Sequence, residues 1–268
     1  MAPFGLSALR SLLGRGVGNT PWQPPEASWS RRFGLGWESP YTVRYASNLD
    51  DGPDHGMPLG GFGAGCLGRS PSGAFNLWNL DGGEHWFGSI PDCQFALWEQ
   101  QGEDVRAHAL ATAPDRDDTD PSGGTPLSAW QWYPASTQGR STGTYAARYP
   151  LSWTHHEDVY RAGVLCEAFS PILPGDYQRT SYPVAVFRWQ FSNPTDQPLE
   201  LSLMLCWRNT VGWFTNTDAA AEVHFRDDGS PEHNYAPAIG RGEGQRNRQV
   251  DQPGLSGVLL EGQPSMPL

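Results

Sequence analysis

The chain has 268 residues, 29 acidic against 18 basic, for a formal net charge of −11, a length that fits one large β domain with a sizeable core. Every basic residue is arginine, which excludes Schiff-base or lysine-nucleophile chemistry, and the acidic balance argues against nucleic acid or an anionic membrane as partner. Abundant tryptophan (12), glycine (32) and proline (24) is the composition of a loop-rich β protein.

Residues 1–30 are rich in glycine, proline and serine and weakly periodic, so a flexible tail is expected there and a domain over 31–268. The opening residues resemble a signal peptide in outline. Arg10 interrupts the apolar stretch, however, and no small-residue cleavage site follows. No apolar run approaches the ~18 residues of a membrane span. Asn193-Pro194-Thr195 is closed to glycosylation by its proline. Cys66, Cys93, Cys166 and Cys206 show neither CxxC nor a histidine ladder, so they read as small hydrophobes rather than a disulfide or zinc framework. A reduced, cytoplasmic setting is expected, with no cofactor and no metal.

Strands are expected at residues 41–45 and 75–80. Residues 93–99 and 105–110, joined through Gln101-Gly102-Glu103-Asp104, read as a hairpin. Further strands are expected at 129–133, 145–153 and 164–169. Residues 184–191 are apolar on both faces apart from Arg188 and Gln190. Leu199, Leu201, Leu203, Leu205 and Trp207 then alternate with Glu200, Ser202, Met204, Cys206 and Arg208, the period of a half-buried strand. The dense turn chemistry of residues 193–198 predicts that these two runs pair as a hairpin. A last strand is expected at 255–260. Residues 113–126 and 215–254 are polar and read as surface excursions. Strands at short intervals define an all-β sandwich or barrel. The tryptophans have two readings: indole faces for a sugar ring, or core filling.

The densest motif runs from Gly56 to Arg69 and contains Gly60, Gly61, Gly63, Gly65 and Gly68. Three of these satisfy GxGxxG, but turns lie on both sides where a dinucleotide fold needs a strand and a helix. The segment therefore reads as structural backbone that packs closely or adopts positive φ. Asp81 and Glu84 invite a reading as a glycosidase acid and nucleophile, with His85 beside them. A retaining pair needs carboxyls about 5–5.5 Å apart, which a spacing of three across Gly82-Gly83 does not fix. Solvated loop carboxylates are the preferred reading, so no catalytic residue is assigned. Asp117, Asp118 and Asp120 read as a solvated turn before a cation site. His155, His156 and Glu157 read as surface. No GxSxG elbow or P-loop occurs.

Gly56-Met57-Pro58-Leu59-Gly60-Gly61-Phe62-Gly63-Ala64-Gly65, followed by Gly68-Arg69, resembles the G-I-P-L-G-G-I-G-A-G…G-R opening of glycoside hydrolase family 116. Phe75-Asn76-Leu77-Trp78 is similar to that family's next aromatic strand. Ser170-Pro171-Ile172-Leu173-Pro174-Gly175-Asp176-Tyr177 is similar to its S-P-I-x-P-x-x-Y segment, and Ser181-Tyr182-Pro183-Val184, Asn193-Pro194-Thr195-Asp196 and Trp207-Arg208-Asn209 follow in family order. The resemblance covers roughly residues 50 to 215. It implies an N-terminal antiparallel β-sandwich that packs on a catalytic (α/α)6 barrel. It also implies hydrolysis of β-glucosides, glucosylceramide among them, with retention.

In the family the nucleophilic Glu and the acid/base Asp belong to the barrel, so no catalytic residue carries over, and the chain alone is expected to be inactive. The last residues, 261–268, read as an interruption of the domain. The partner implied is the barrel, on the same or a neighbouring reading frame. The surface expected to face it includes Trp78, Asp81, Glu84, His85 and Trp86. Two other readings stand beside this one: a free-standing carbohydrate-binding or docking module without hydrolysis, and an enzyme with its own site at Asp81, Glu84 and His85.

Overall fold

Period-two sequence folds here into strands that pair almost entirely with antiparallel neighbours. The structure, a computed structural model, describes residues 22–33, 56–80, 85–113, 129–213, 222–225, 229, 231–234 and 243–263. The first strands are β1 (Trp29–Arg32), β2 (Pro58–Leu59), β3 (Cys66–Arg69), β4 (Phe75–Asn79) and β5 (Trp86–Phe87). Next come β6 (Gln94–Gln101), β7 (Asp104–Ala109), β8 (Ser136–Thr137) and β9 (Arg140–Ser141). They are followed by β10 (Gly143–Arg148), β11 (Leu151–His156), β12 (Gly163–Phe169), one helical turn α1 (Tyr177–Thr180), β13 (Val186–Ser192) and β14 (Glu200–Cys206). β15 (Glu222–Phe225), β16 (Pro231–Asn234), β17 (Glu243–Gln252) and β18 (Leu255–Gln263) close the series.

β1-β10-β11-β12-β13 form a five-stranded sheet, β14-β6-β7 a three-stranded sheet and β2-β3-β4-β5 a four-stranded sheet. β8–β9, β15–β16 and β17–β18 are two-stranded ribbons. Aromatic side chains join the layers. Phe95 of β6 meets Phe187 and Trp189 of β13 at ring distances of 5.2 and 5.0 Å. Phe75 of β4 meets Trp207 at 5.1 Å, and Trp78 and Trp86 each meet Trp213 at 5.8 Å. Trp78 is 0 % exposed, and its Nε1 donates to the Gly88 carbonyl at 2.9 Å. Burying a large aromatic contributes about 4–6 kcal/mol of transfer free energy as an upper bound. The tryptophans of the described core therefore fill it rather than line a sugar site.

The β6–β7 hairpin forms where its turn chemistry placed it. Other expectations need correction. β13 and β14 do not pair: β13 joins β12 and β14 joins β6, so residues 193–199 carry the chain from one sheet to another. Residues 145–153 are two strands, because the chain reverses at Tyr149-Pro150 between Arg148 and its cross-strand neighbour Leu151. Residues 129–133 form no strand and make one isolated parallel bridge, Ala109 to Trp132. The stretch 215–254 contains β15, β16 and β17. Trp29 and Ser30 lie in β1 opposite Ala147 and Ala146, inside the stretch read as tail. Residues 41–45 lie outside the described residues.

Candidate functional site

The glycine-rich turn between β2 and β3 is built by close backbone approach. Gly63 and Gly65 have φ of 69° and 77°, the left-handed region that costs other residues strain. A Cβ on Gly65 would overlap the Asn79 carbonyl oxygen, and one on Gly60 the Gly65 carbonyl oxygen. Gly61 has no positive φ, yet a Cβ there would meet Ser181 and Tyr182 backbone atoms at 2.5 Å. Gly68 sits in β3 opposite Leu77, next to a register shift. Phe62 N–H donates to the Thr180 carbonyl at 3.0 Å, and Gly60 N–H donates to Ser170 Oγ at 2.7 Å. The turn is thus fastened to the 170–182 segment, and Phe62, Tyr177 and Tyr182 stand exposed around it.

β3 ends in a buried cation. Arg69 Nε donates to the Gly73 carbonyl, Nη2 to the Leu110 carbonyl and Nη1 to Thr154 Oγ1, at 2.9, 2.9 and 3.1 Å. Its guanidinium carbon lies 5.7 Å from the Phe95 ring centre and 5.5 Å from that of Trp189, within cation–π range. No carboxylate among the described residues pairs with it, and burial pulls its pKa down. His156 of β11 lies in the same layer between Phe33, Tyr133 and Trp189. This corrects its reading as surface: β11 carries its ring inward. Burial first, then the charges of Arg69 and His155, hold its pKa well below the usual histidine value. A neutral His156 keeps a second uncompensated charge away from Arg69. His155, on the other face, is 2.9 Å from Glu157, which pairs with Arg32 at 2.7 Å.

Two buried glutamates went unnoticed in the sequence. Glu99 of β6 accepts the Arg161 N–H at 2.9 Å on one oxygen and the Ala162 N–H at 2.8 Å on the other. Glu167 of β12 accepts Trp153 Nε1–H at 3.1 Å and lies 2.8 Å from Arg188 Nη2. The available signal was an acidic residue at a core position of an apolar strand, since unpaired burial of a carboxylate is too costly to persist. Both are held on each oxygen by their own chain, on different sheets. Asp81 and Glu84 lie outside the described residues, as do Asp117, Asp118 and Asp120. Among the described residues no group of three His, Cys, Asp or Glu is placed to hold a metal ion. The four cysteines are free thiols, and burial pushes Cys93 and Cys166 up to about 12, so neither is a thiolate at neutral pH.

Of the segment expected to face a partner, Asp81 and Glu84 lie outside the described residues. Trp78 and Trp86 pack in the core, while His85 is exposed and stacks on Phe87. Exposed apolar side chains among the described residues include Leu203, Met204 and Leu205 on β14 and Leu255, Val258 and Leu259 on β18.

Antiparallel sheets closed on an aromatic core, with their innermost carboxylates fixed as structural anchors, define an all-β, sandwich-like domain. The chain belongs to glycoside hydrolase family 116: the family model described as beta-glucosidase 2, glycosyl-hydrolase family 116 N-term matches residues 56–267. The matched part is the N-terminal domain of a larger glycosidase. Among the described residues no helix is long and apolar enough to cross a membrane.

Proposed function

We propose that this chain is the non-catalytic N-terminal domain of a retaining β-glucosidase of the glucosylceramidase type. It packs on and supports a catalytic (α/α)6 barrel carried outside these 268 residues, on the same or a neighbouring reading frame. The observation that carries the reading is the match of residues 56–267 to the family's N-terminal domain. Glu99 and Glu167 support it, because carboxylates bound on both oxygens by their own chain are not free for acid and nucleophile roles about 5–5.5 Å apart. A β-glucoside then meets this protein only through the barrel. Four free thiols favour a reducing, cytoplasmic setting.

The test is turnover of an aryl β-glucoside by the purified chain, alone and with the barrel polypeptide. Alone, the expected rate equals the buffer blank. Turnover by the isolated chain that disappears in Glu84→Gln would overturn the reading in favour of a site of its own.

A stand-alone carbohydrate-binding module has one observation on its side: Phe62, Tyr177 and Tyr182 are exposed on the glycine turn and the 170–182 segment fastened to it. Titration with cello-oligosaccharides decides it. Saturable binding lost in Phe62→Ala would favour the module, and no heat of binding is expected.

A further inference from the structure

One row across the inner face of the five-stranded sheet runs Phe33, Gly143, His156, Val164. Gly143 lies opposite His156 and His156 opposite Val164, while Phe33, directly after β1, donates its N–H to the Gly143 carbonyl at 2.9 Å. Strands lie about 4.8 Å apart, so residues two strands apart in such a row are normally separated by the side chain between them. Gly143 has none. The Phe33 ring fills that space, which a Cβ on Gly143 would overlap, and meets the His156 ring edge-on at 5.7 Å between centres. Tyr133 and Trp189 of β13 close other sides of the imidazole at 5.0 and 6.1 Å. Phe33 and His156 are both buried. Of the rings around His156, Phe33 hangs on the slightest support: β1 is four residues long and, among the described residues, pairs with β10 alone.

We propose that Phe33 is a plug over His156 and that β1 is a strand released by acid: lifting β1 uncovers the imidazole, and the proton it then takes holds β1 off. In the closed sheet burial opposes that proton first, then the charges of Arg69 of β3 and of His155, while the Leu110 backbone favours it. The Tyr133 hydroxyl is committed to the Thr142 and Glu157 carbonyls. The Glu157 carboxylate is committed to His155 and to Arg32 of β1. β12 and β13 present Val164 and Trp189, which carry no charge. With β1 lifted, the imidazole titrates near its ordinary ~6.5. As pH falls through that value the open form binds a proton that the closed form refuses, so acid favours opening. From about pH 7.5 to about pH 5 this one group shifts the opening equilibrium roughly thirtyfold. Release must also break the Arg32–Glu157 pair, but both side chains are partly exposed and such pairs hold weakly.

Hydrogen–deuterium exchange on the full chain at those two pH values, each rate divided by the intrinsic rate at its pH, tests this. The reporter is the Phe33 amide, bonded to Gly143. Its protection is expected to lie below that of the β12 amides at both pH values, the mark of a local opening. Its fall with acid is expected to be roughly thirtyfold smaller in His156→Phe than in the unaltered chain. A second measurement stands without that variant: by NMR the His156 ring should stay silent over this range in the unaltered chain and titrate near ~6.5 in Phe33→Ala. An acid response at Phe33 that is the same in His156→Phe overturns the role of the imidazole. A His156 ring still silent in Phe33→Ala overturns the plug. A Phe33 amide as protected as β12 overturns the release of β1, because that strand then opens only with the whole fold.

Discussion

No carboxylate among the described residues meets the buried guanidinium of Arg69, which persists because three oxygens accept its N–H groups and two aromatic rings face its charge. The same arrangement makes the neighbouring His156 sensitive to acid. In the unfolded chain this histidine titrates near ~6.5, whereas in the folded chain burial and Arg69 keep it neutral far below that. As pH falls through ~6.5 the unfolded state therefore binds a proton that the native state refuses, and stability drops. The slope for this one group is at most about 1.4 kcal/mol per pH unit. His108 and His155 are also lowered by burial and act with the same sign. Melting temperatures taken from neutral pH to about pH 5 should fall, and His156→Phe, which keeps a ring against Phe33 and Tyr133, should flatten the fall. An unchanged slope in that variant would rule out His156 as a source.

The glycine turn separates two causes of intolerance. Gly63 has positive φ and open space, while Gly65 has positive φ and the Asn79 carbonyl against it. Gly63→Ala should cost about 1 kcal/mol from backbone strain. Gly65→Ala should cost more, because a backbone oxygen must also move. Equal shifts in urea midpoint would show that crowding at Gly65 contributes nothing. This glycine string was legible in the sequence as special backbone. Arg69 was not, because an arginine buried among backbone carbonyls and aromatic rings leaves no mark on composition, and His156 was misread because His-His-Glu looks like surface until β11 fixes which residue points inward.

At the scale of elements, local chemistry was legible and partner choice was not. β6 and β7 flank Gly102, whose φ of 60° suits the tight reversal that Gln101-Gly102-Glu103 announces, and the pair forms. β13 is apolar on both faces apart from Arg188 and Gln190, β14 alternates, and the turn between them is held by Asn193, whose Oδ1 accepts the Thr195 N–H at 3.0 Å. The turn fixes only that the chain reverses. β13 pairs with β12 and packs Phe187 and Trp189 across the layers on Phe95, while β14 pairs with β6, so the strands part company. β10 and β11 were read as one strand because aromatic and small residues continue through the join. The signal passed over was Pro150, which lacks the N–H a continuing ladder needs. β17 escaped notice because its glutamines and arginines mask a period of two. The Pro253-Gly254 turn, with φ of 80° at Gly254, was the cue to a ribbon there.

For the whole molecule, an acidic chain carries exposed apolar side chains among its described residues, on β14 and β18 among other places. Leu203, Met204 and Leu205 stand out from β14, an edge strand. Leu255, Val258 and Leu259 stand out from β18 of a two-stranded ribbon, an element marginally stable in water by itself. Exposed apolar patches and unpaired edges both promote association. The net charge of −11 opposes it, but that repulsion is screened over about 8 Å at physiological ionic strength. The isolated chain should therefore self-associate without a fixed stoichiometry, and more so as salt is raised, because salt weakens the repulsion and leaves the apolar attraction. Sedimentation velocity over a concentration series, at low and at high salt, measures this directly. Lysine at Leu205 and Val258 should reduce the association, and co-expression with the barrel polypeptide should suppress it. A monodisperse, reversibly folding monomer at high concentration in both salts would count against a surface built to be covered, and would shift the balance toward a free-standing module.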